Sequence, residues 1–272
     1  MPPLLSRSIA VFAALPFLVA ASPAAAQLGD LIGQVKREVE RELVGGGDAP
    51  QEARSTTRAG ESGGRLRVNQ GSSFTPGRST LVADDFASAA IGSMPQGWKT
   101  NGSGSAVSVD GLAGRWLSLQ SFATYKLKQP PRLPDRFTIE FDIVVAADST
   151  KDLSAMPFGF TADNSVRSYV QDAHNNAGIA VIDLNYGGSS TASSSATGYY
   201  HSFDFDYRPY ANRVMSVAIA VDGDMMRTYL DGKKIADSRL FDGDPARYFF
   251  ISAPIQMRNG ANVLFGNFRI AS

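Results

Sequence analysis

The chain is 272 residues long, with 26 basic and 26 acidic side chains, two histidines and no cysteine. Balanced, interspersed charge excludes the clustered Lys and Arg that nucleic acid demands for phosphate neutralisation, and the absence of thiols excludes disulfide stapling and a lipid-anchored cysteine. With 43% hydrophobic residues, 10% aromatics and 26 glycines, the composition is that of an exported all-β globular domain.

Residues 1–26 carry one positive charge at Arg7, an apolar core from Ile9 to Ala20, and the small-residue run Ala24-Ala25-Ala26. That is the layout of a cleaved secretory signal with its cut before Gln27. The apolar core is about a dozen residues and contains Pro16, short of the ~20 that span a bilayer. No transmembrane segment is expected in the mature chain, and the expected location is the bacterial periplasm or exterior. Loss of Arg7 would leave one more acid than base.

Leu28, Leu31, Ile32, Val35, Val39 and Leu43 recur at steps of three and four, which predicts an amphipathic helix over 27–44, ended by Gly45-Gly46-Gly47. A lone helix of this length is marginal in water, so its apolar face needs a partner. Docking on its own domain, self-association through 28–44, and contact with an envelope or membrane partner all stay open. Residues 45–80, rich in Gly, Ser, Thr and Arg, read as a flexible linker.

From Leu81 onward, short alternating runs punctuated by Gly, Pro, Asn and Asp predict strands near 81–86, 105–109, 115–120, 122–128, 136–146, 156–162 and 167–172. Further strands are predicted near 177–185, 198–207, 213–221, 225–230, 233–238, 247–253 and 262–270. Many short strands and no helical pattern argue for an antiparallel two-sheet β-sandwich over 81–272. The strongest signal is residues 216–237, where Asp222-Gly223 and Asp231-Gly232 separate three alternating runs, a β-meander. The low-complexity stretch Gly187 to Gly198 reads as an exposed, mobile loop.

The phrase Tyr229-Leu230-Asp231-Gly232-Lys233, the segments Leu81 to Phe86 and Ile91 to Trp98, the run Asn101 to Leu119 and the closing strand Asn262 to Ser272 resemble the laminin-G-like modules of the concanavalin A-like lectin/glucanase superfamily. The resemblance covers 81–272 and implies a concanavalin A-like jelly roll. It is similar to modules found before peptidoglycan-binding domains in some bacterial envelope proteins, although a cell-wall anchoring role is not part of what it implies. It also suggests where to look for catalysis and metal. The superfamily's glucanases place carboxylates two residues apart on one strand. Glu140 and Asp142 fit that spacing, but no third carboxylate follows to serve as the acid of retaining chemistry. Sandwiches of this kind often carry a structural Ca²⁺, for which Asp84 and Asp85 are the candidates. A capped strand start explains the same two residues. No other cofactor is expected.

Neither His174 nor His201 sits in a hydrolase motif. Sugar sites need aromatic faces for pyranose C–H surface and Asn, Asp or His for its hydroxyls. Tyr199, His201, Asp204, Asp206 and Tyr210, with Tyr169 and Asn175, supply both, while Phe203, Phe205 and Tyr207, together on one face, read as core. Three functions therefore stand: an exported non-enzymatic glycan-binding or envelope module, a structural envelope module assembling through the N-terminal helix, and a glycoside hydrolase or lyase.

Overall fold

The computed structural model describes residues 73–166, 178–243 and 247–272. The expected signal peptide, the helix over 27–44, most of the linker, the strand expected at 167–172, Tyr169, His174 and Asn175 lie outside the described residues. Among the described residues, fifteen strands form two antiparallel sheets. In chain order they are β1 (Thr80–Asp84), β2 (Trp98–Thr100), β3 (Gly104–Val109), β4 (Leu112–Leu119), β5 (Thr124–Leu127), β6 (Arg136–Ala146), β7 (Met156–Thr161) and β8 (Gly178–Leu184). There follow β9 (Ser190–Ser194), β10 (Tyr200–Phe203), β11 (Val214–Asp222), β12 (Met225–Leu230), β13 (Lys233–Arg239), β14 (Tyr248–Ser252) and β15 (Asn262–Ala271).

The first sheet runs β13-β12-β11-β6-β15-β4-β3, and β1 also pairs with β15; the second runs β10-β9-β8-β7-β14-β5-β2. Along one edge β15 pairs with β6, while on the other its first residues pair with β4 and its last with β1. The eleven-residue β6 shows why the sheets stack. Phe137, Ile139, Phe141, Ile143 and Val145 point inward and are buried, whereas Thr138, Glu140 and Asp142 point outward at the period of two. Phe141 packs edge-on against Phe158 across the sandwich at 5.3 Å and touches Phe265 at 5.5 Å.

The meander forms as β11, β12 and β13, with one refinement at each turn. Asp231 (φ 48°) and Gly232 (φ 77°) are both left-handed, as a type I′ hairpin requires. In the first hairpin the closing pair is Asp222 and Met225, so the central residues are Gly223 and Asp224, and only Gly223 takes a positive φ, 59°.

The stretch expected as a mobile loop contains strand β9, Ser190–Ser194, at its centre. Ser190, Ala192 and Ser194 of β9 are buried, with Thr191 and Ser193 between them half-exposed. Hydroxyls replace apolar side chains on its inward face because each finds a partner. The Ser190 hydroxyl lies 2.7 Å from the Tyr207 hydroxyl, and Ser194 Oγ donates to the Leu240 carbonyl at 2.7 Å. The remainder of the expected 198–207 strand is shorter, ending at Phe203.

Candidate functional site

The carboxylates at Glu140 and Asp142 share the outer face of β6, as their spacing requires, and both are engaged. Arg269 Nη1 donates to Glu140 Oε1 at 2.8 Å, and Asp142 accepts from Ser216 Oγ at 2.7 Å and from Asn267 Nδ2 at 2.8 Å. No further carboxylate lines the cavity they share. These bonds tie β6 to its neighbours β11 and β15.

Asp84 and Asp85 serve turns and packing. Asp84 Oδ1 accepts from the Phe86 amide at 2.8 Å and Oδ2 from the Trp98 indole N–H at 2.9 Å, while Asp85 Oδ1 accepts from the Ala87 amide at 2.9 Å. Among the described residues no group of three or more His, Cys, Asp or Glu gathers to hold a metal. Asp84 ties the Asp-Asp-Phe segment to the Gly-Trp segment.

At the sandwich rim, the region from Gly187 to Tyr210 does form a cleft. Its volume is about 430 Å³, and it opens between the β8–β9 turn, the β10–β11 connection and a 3₁₀ turn at Thr150–Asp152. Asp204, Asp206, Arg208 and Lys151 stand around it, with Phe205 between them and Gly187 and Gly188 at its edge. The glycine edge is fixed by Asn185, whose Oδ1 accepts from the Gly187 amide at 3.1 Å.

The floor is rigid. Tyr186 and Tyr207 are buried with ring centroids 4.8 Å apart, and Phe205 packs on Tyr207 at 4.9 Å and on Tyr210 at 5.6 Å. Burial pushes the Tyr186 and Tyr207 phenols well above the ordinary tyrosine range. Above it, Arg208 grips Asp206 with a bidentate fork, Nε to Oδ1 and Nη2 to Oδ2, both at 2.8 Å. Those bonds, and that from the Arg208 amide, hold the Asp206 carboxyl down at about 2. Asp204 accepts from Ser189 Oγ at 2.8 Å.

The sequence-predicted residues divide around this cleft. Asp204 and Asp206 line it. Tyr210 sits behind Phe205, its hydroxyl donating to Asp231 Oδ2 at 3.0 Å. Tyr199 and His201 are on or beside β10, with rings 6.4 Å apart, and are not among the lining residues. Tyr199 packs half-buried against the core, and the tyrosine that β10 exposes, to 70%, is Tyr200. Tyr200 stands opposite the outward-facing Ser193, and His201, opposite buried Ala192, is exposed as well. Of the three residues read as core, Tyr207 is buried and Phe203 and Phe205 are half-buried against it. Lys151 and Arg208 were not foreseen. Arg208 was legible in the Asp-x-Arg spacing, while Lys151 reaches the cleft from a distant turn that no local motif marks.

No protein-family model matches this sequence, and a search of curated proteins finds no match. Solved structures do match. The chain is similar to the carbohydrate recognition domain of Emp47p, at 15% identity over 70% of this chain and 94% of that one, with a TM-score of 0.51. Lower similarity, with TM-scores of 0.41 and 0.44, relates it to the carbohydrate-binding module CBM66 from Bacillus subtilis and to the botulinum neurotoxin serotype D binding domain. Identity is 14% over 65% of this chain and 96% of the former, and 12% over 64% of this chain and 43% of the latter. At these identities the first likeness establishes the fold alone: a lectin-like, two-sheet antiparallel β-sandwich.

Proposed function

We propose that this chain is an exported, non-enzymatic, laminin-G-like module that binds a neutral glycan of the cell envelope or its surroundings in the rim cleft. The observation that carries the reading is the cleft itself, where two carboxylates and two cations surround a half-exposed aromatic face. The four charges cancel, which suits a neutral ligand. Arg208 spends Nε and Nη2 on Asp206 and keeps Nη1, and Asp204 keeps its second oxygen, so donors and acceptors alternate as sugar hydroxyls require. The buried tyrosine floor holds these groups in place before ligand arrives, which lowers the cost of binding. A fold like that of the Emp47p carbohydrate recognition domain and the secretory layout of residues 1–26 support the same reading.

Isothermal titration of the mature protein with peptidoglycan fragments and common neutral polysaccharides tests it, and heat of binding with at least one is expected. Because the folded-state pKa of Asp206 is depressed, its ionised pairing with Arg208 is present above the unfolded value and lost only as pH falls through about 2. Among the described residues no histidine lines the cleft. Affinity should therefore stay level from about pH 5 to 8. Absence of heat with every glycan would overturn the proposal.

A further inference from the structure

The outer face of the first sheet carries a second built cavity. The strand register sets Tyr229, Ala218, Glu140 and Arg269 in one row across β12, β11, β6 and β15, with Ser216 opposite Asp142 in the next. Residues 73–79 cross this face as a strap. Ser73 Oγ lies 3.2 Å from the Tyr229 hydroxyl, and the Phe74 ring packs on Tyr229 at 5.5 Å. The Gly77 amide donates to Thr138 Oγ1 at 2.9 Å and its carbonyl accepts from Arg269 Nη2 at 2.8 Å. Ser79 and Ser272 then exchange both backbone hydrogen bonds. Tyr229 points outward from the sheet yet is only 2% exposed.

Small side chains at Ser216 and Ala218 leave a hollow of about 320 Å³ beside the strap, walled by Phe74 and Tyr229 and floored by Asp142, Ser216 and Asn267. A bulge in β15 between Gly266 and Arg269 puts Asn267 at φ 51° and turns its amide onto Asp142. Each Asp142 oxygen accepts one hydrogen bond and has capacity for another, and Asn267 retains a second N–H and its carbonyl oxygen. Glu140 is neutralised by Arg269 at 2.8 Å. The result is a compact set of acceptors and donors next to an aromatic wall, which matches the edge of one pyranose ring with two adjacent hydroxyls. None of the residues lining it lines the rim cleft.

We propose that this hollow is a second ligand site, taking a single neutral sugar ring against Phe74 while Asp142, Ser216 and Asn267 hold its hydroxyls. It goes beyond the rim-cleft reading and does not depend on it. Two sites on different faces make the module bivalent, so a polysaccharide reaching both is held more tightly than by either alone.

The test is an amide-resolved NMR titration of the full mature protein with glucose, galactose, mannose and N-acetylglucosamine in turn. Shifts at Ser216, Gly232 and Asn267 are expected with at least one sugar, and their midpoint should rise about tenfold in Asp142→Ala. If Asp142→Ala does not fold, Ser216→Ala replaces it. Shifts confined to Gly187–Arg208 overturn the second site and leave the cleft reading intact. Shifts at neither place, or a midpoint at the hollow unmoved by the variant, also overturn it.

Discussion

Trp98→Ala is expected to cost about 3–5 kcal/mol of folding stability, as large aromatic-to-alanine changes in cores do. The indole is fully buried, with ring centroids 5.2 Å from Phe265, 5.0 Å from Phe268 and 6.0 Å from Phe86. Phe86 and Trp98 lie on segments outside the long strands, and Phe265 and Phe268 on β15, so the ring joins irregular chain to the closing strand. Its N–H also satisfies Asp84 at 2.9 Å. Truncation therefore opens a cavity and strips a half-buried carboxylate of a donor at once. Trp98→Phe should recover part of the loss by refilling the cavity without restoring the hydrogen bond. Urea unfolding at constant m-value measures both. A loss below about 1 kcal/mol for the alanine variant would show that the cluster is not a keystone of this core.

Gly159→Ala should be comparably damaging although it adds one methyl group. Gly159 sits in the middle of β7 at φ 151°, a conformation L residues rarely adopt, and an added Cβ would lie 2.0 Å from the Ala180 carbonyl oxygen of β8. The obstacle is backbone of a neighbouring strand, which cannot rotate away as a side chain can. Strain of about 1–3 kcal/mol adds to overpacking of about 1–3 kcal/mol. Loss of soluble folded protein, or a fall of several kcal/mol in urea unfolding, is expected. Wild-type stability would mean that β7 and β8 can separate locally at no cost.

The parts of this fold that were legible in the sequence are those where one residue type carries one physical demand. Asp-Gly announced the meander because the turn needs positive φ, and β6 announced itself through five alternating large apolar residues. Strand β9 was illegible because its inward face is Ser, Ala and Ser, and those hydroxyls become core material only through Tyr207 and Leu240, whose proximity no local pattern encodes. The same limit governs the cleft. Asp204 and Asp206 could be picked out as polar residues among aromatics, but the exposure of Tyr200 follows from its place opposite the outward-facing Ser193 of β9. The Asp84 and Asp85 pair shows the converse. Two adjacent acids that read in the sequence as a capped strand start or a cation site accept from amide and indole N–H groups in the fold.

Measuring the affinity of the Arg208→Ala variant for the best glycan found by titration decides whether the rim cleft is the binding site. The Arg208–Asp206 pair is exposed, and pairs of that kind add little to folding, so thermal unfolding should be unchanged and any effect on affinity belongs to the cleft. Removing the fork takes away the Nη1 donor and frees Asp206 from its fixed orientation. Binding weakened by about tenfold or more is expected, equivalent to about 1.4 kcal/mol. Unchanged affinity in a variant that folds normally would contradict the assignment of the rim cleft as the glycan site.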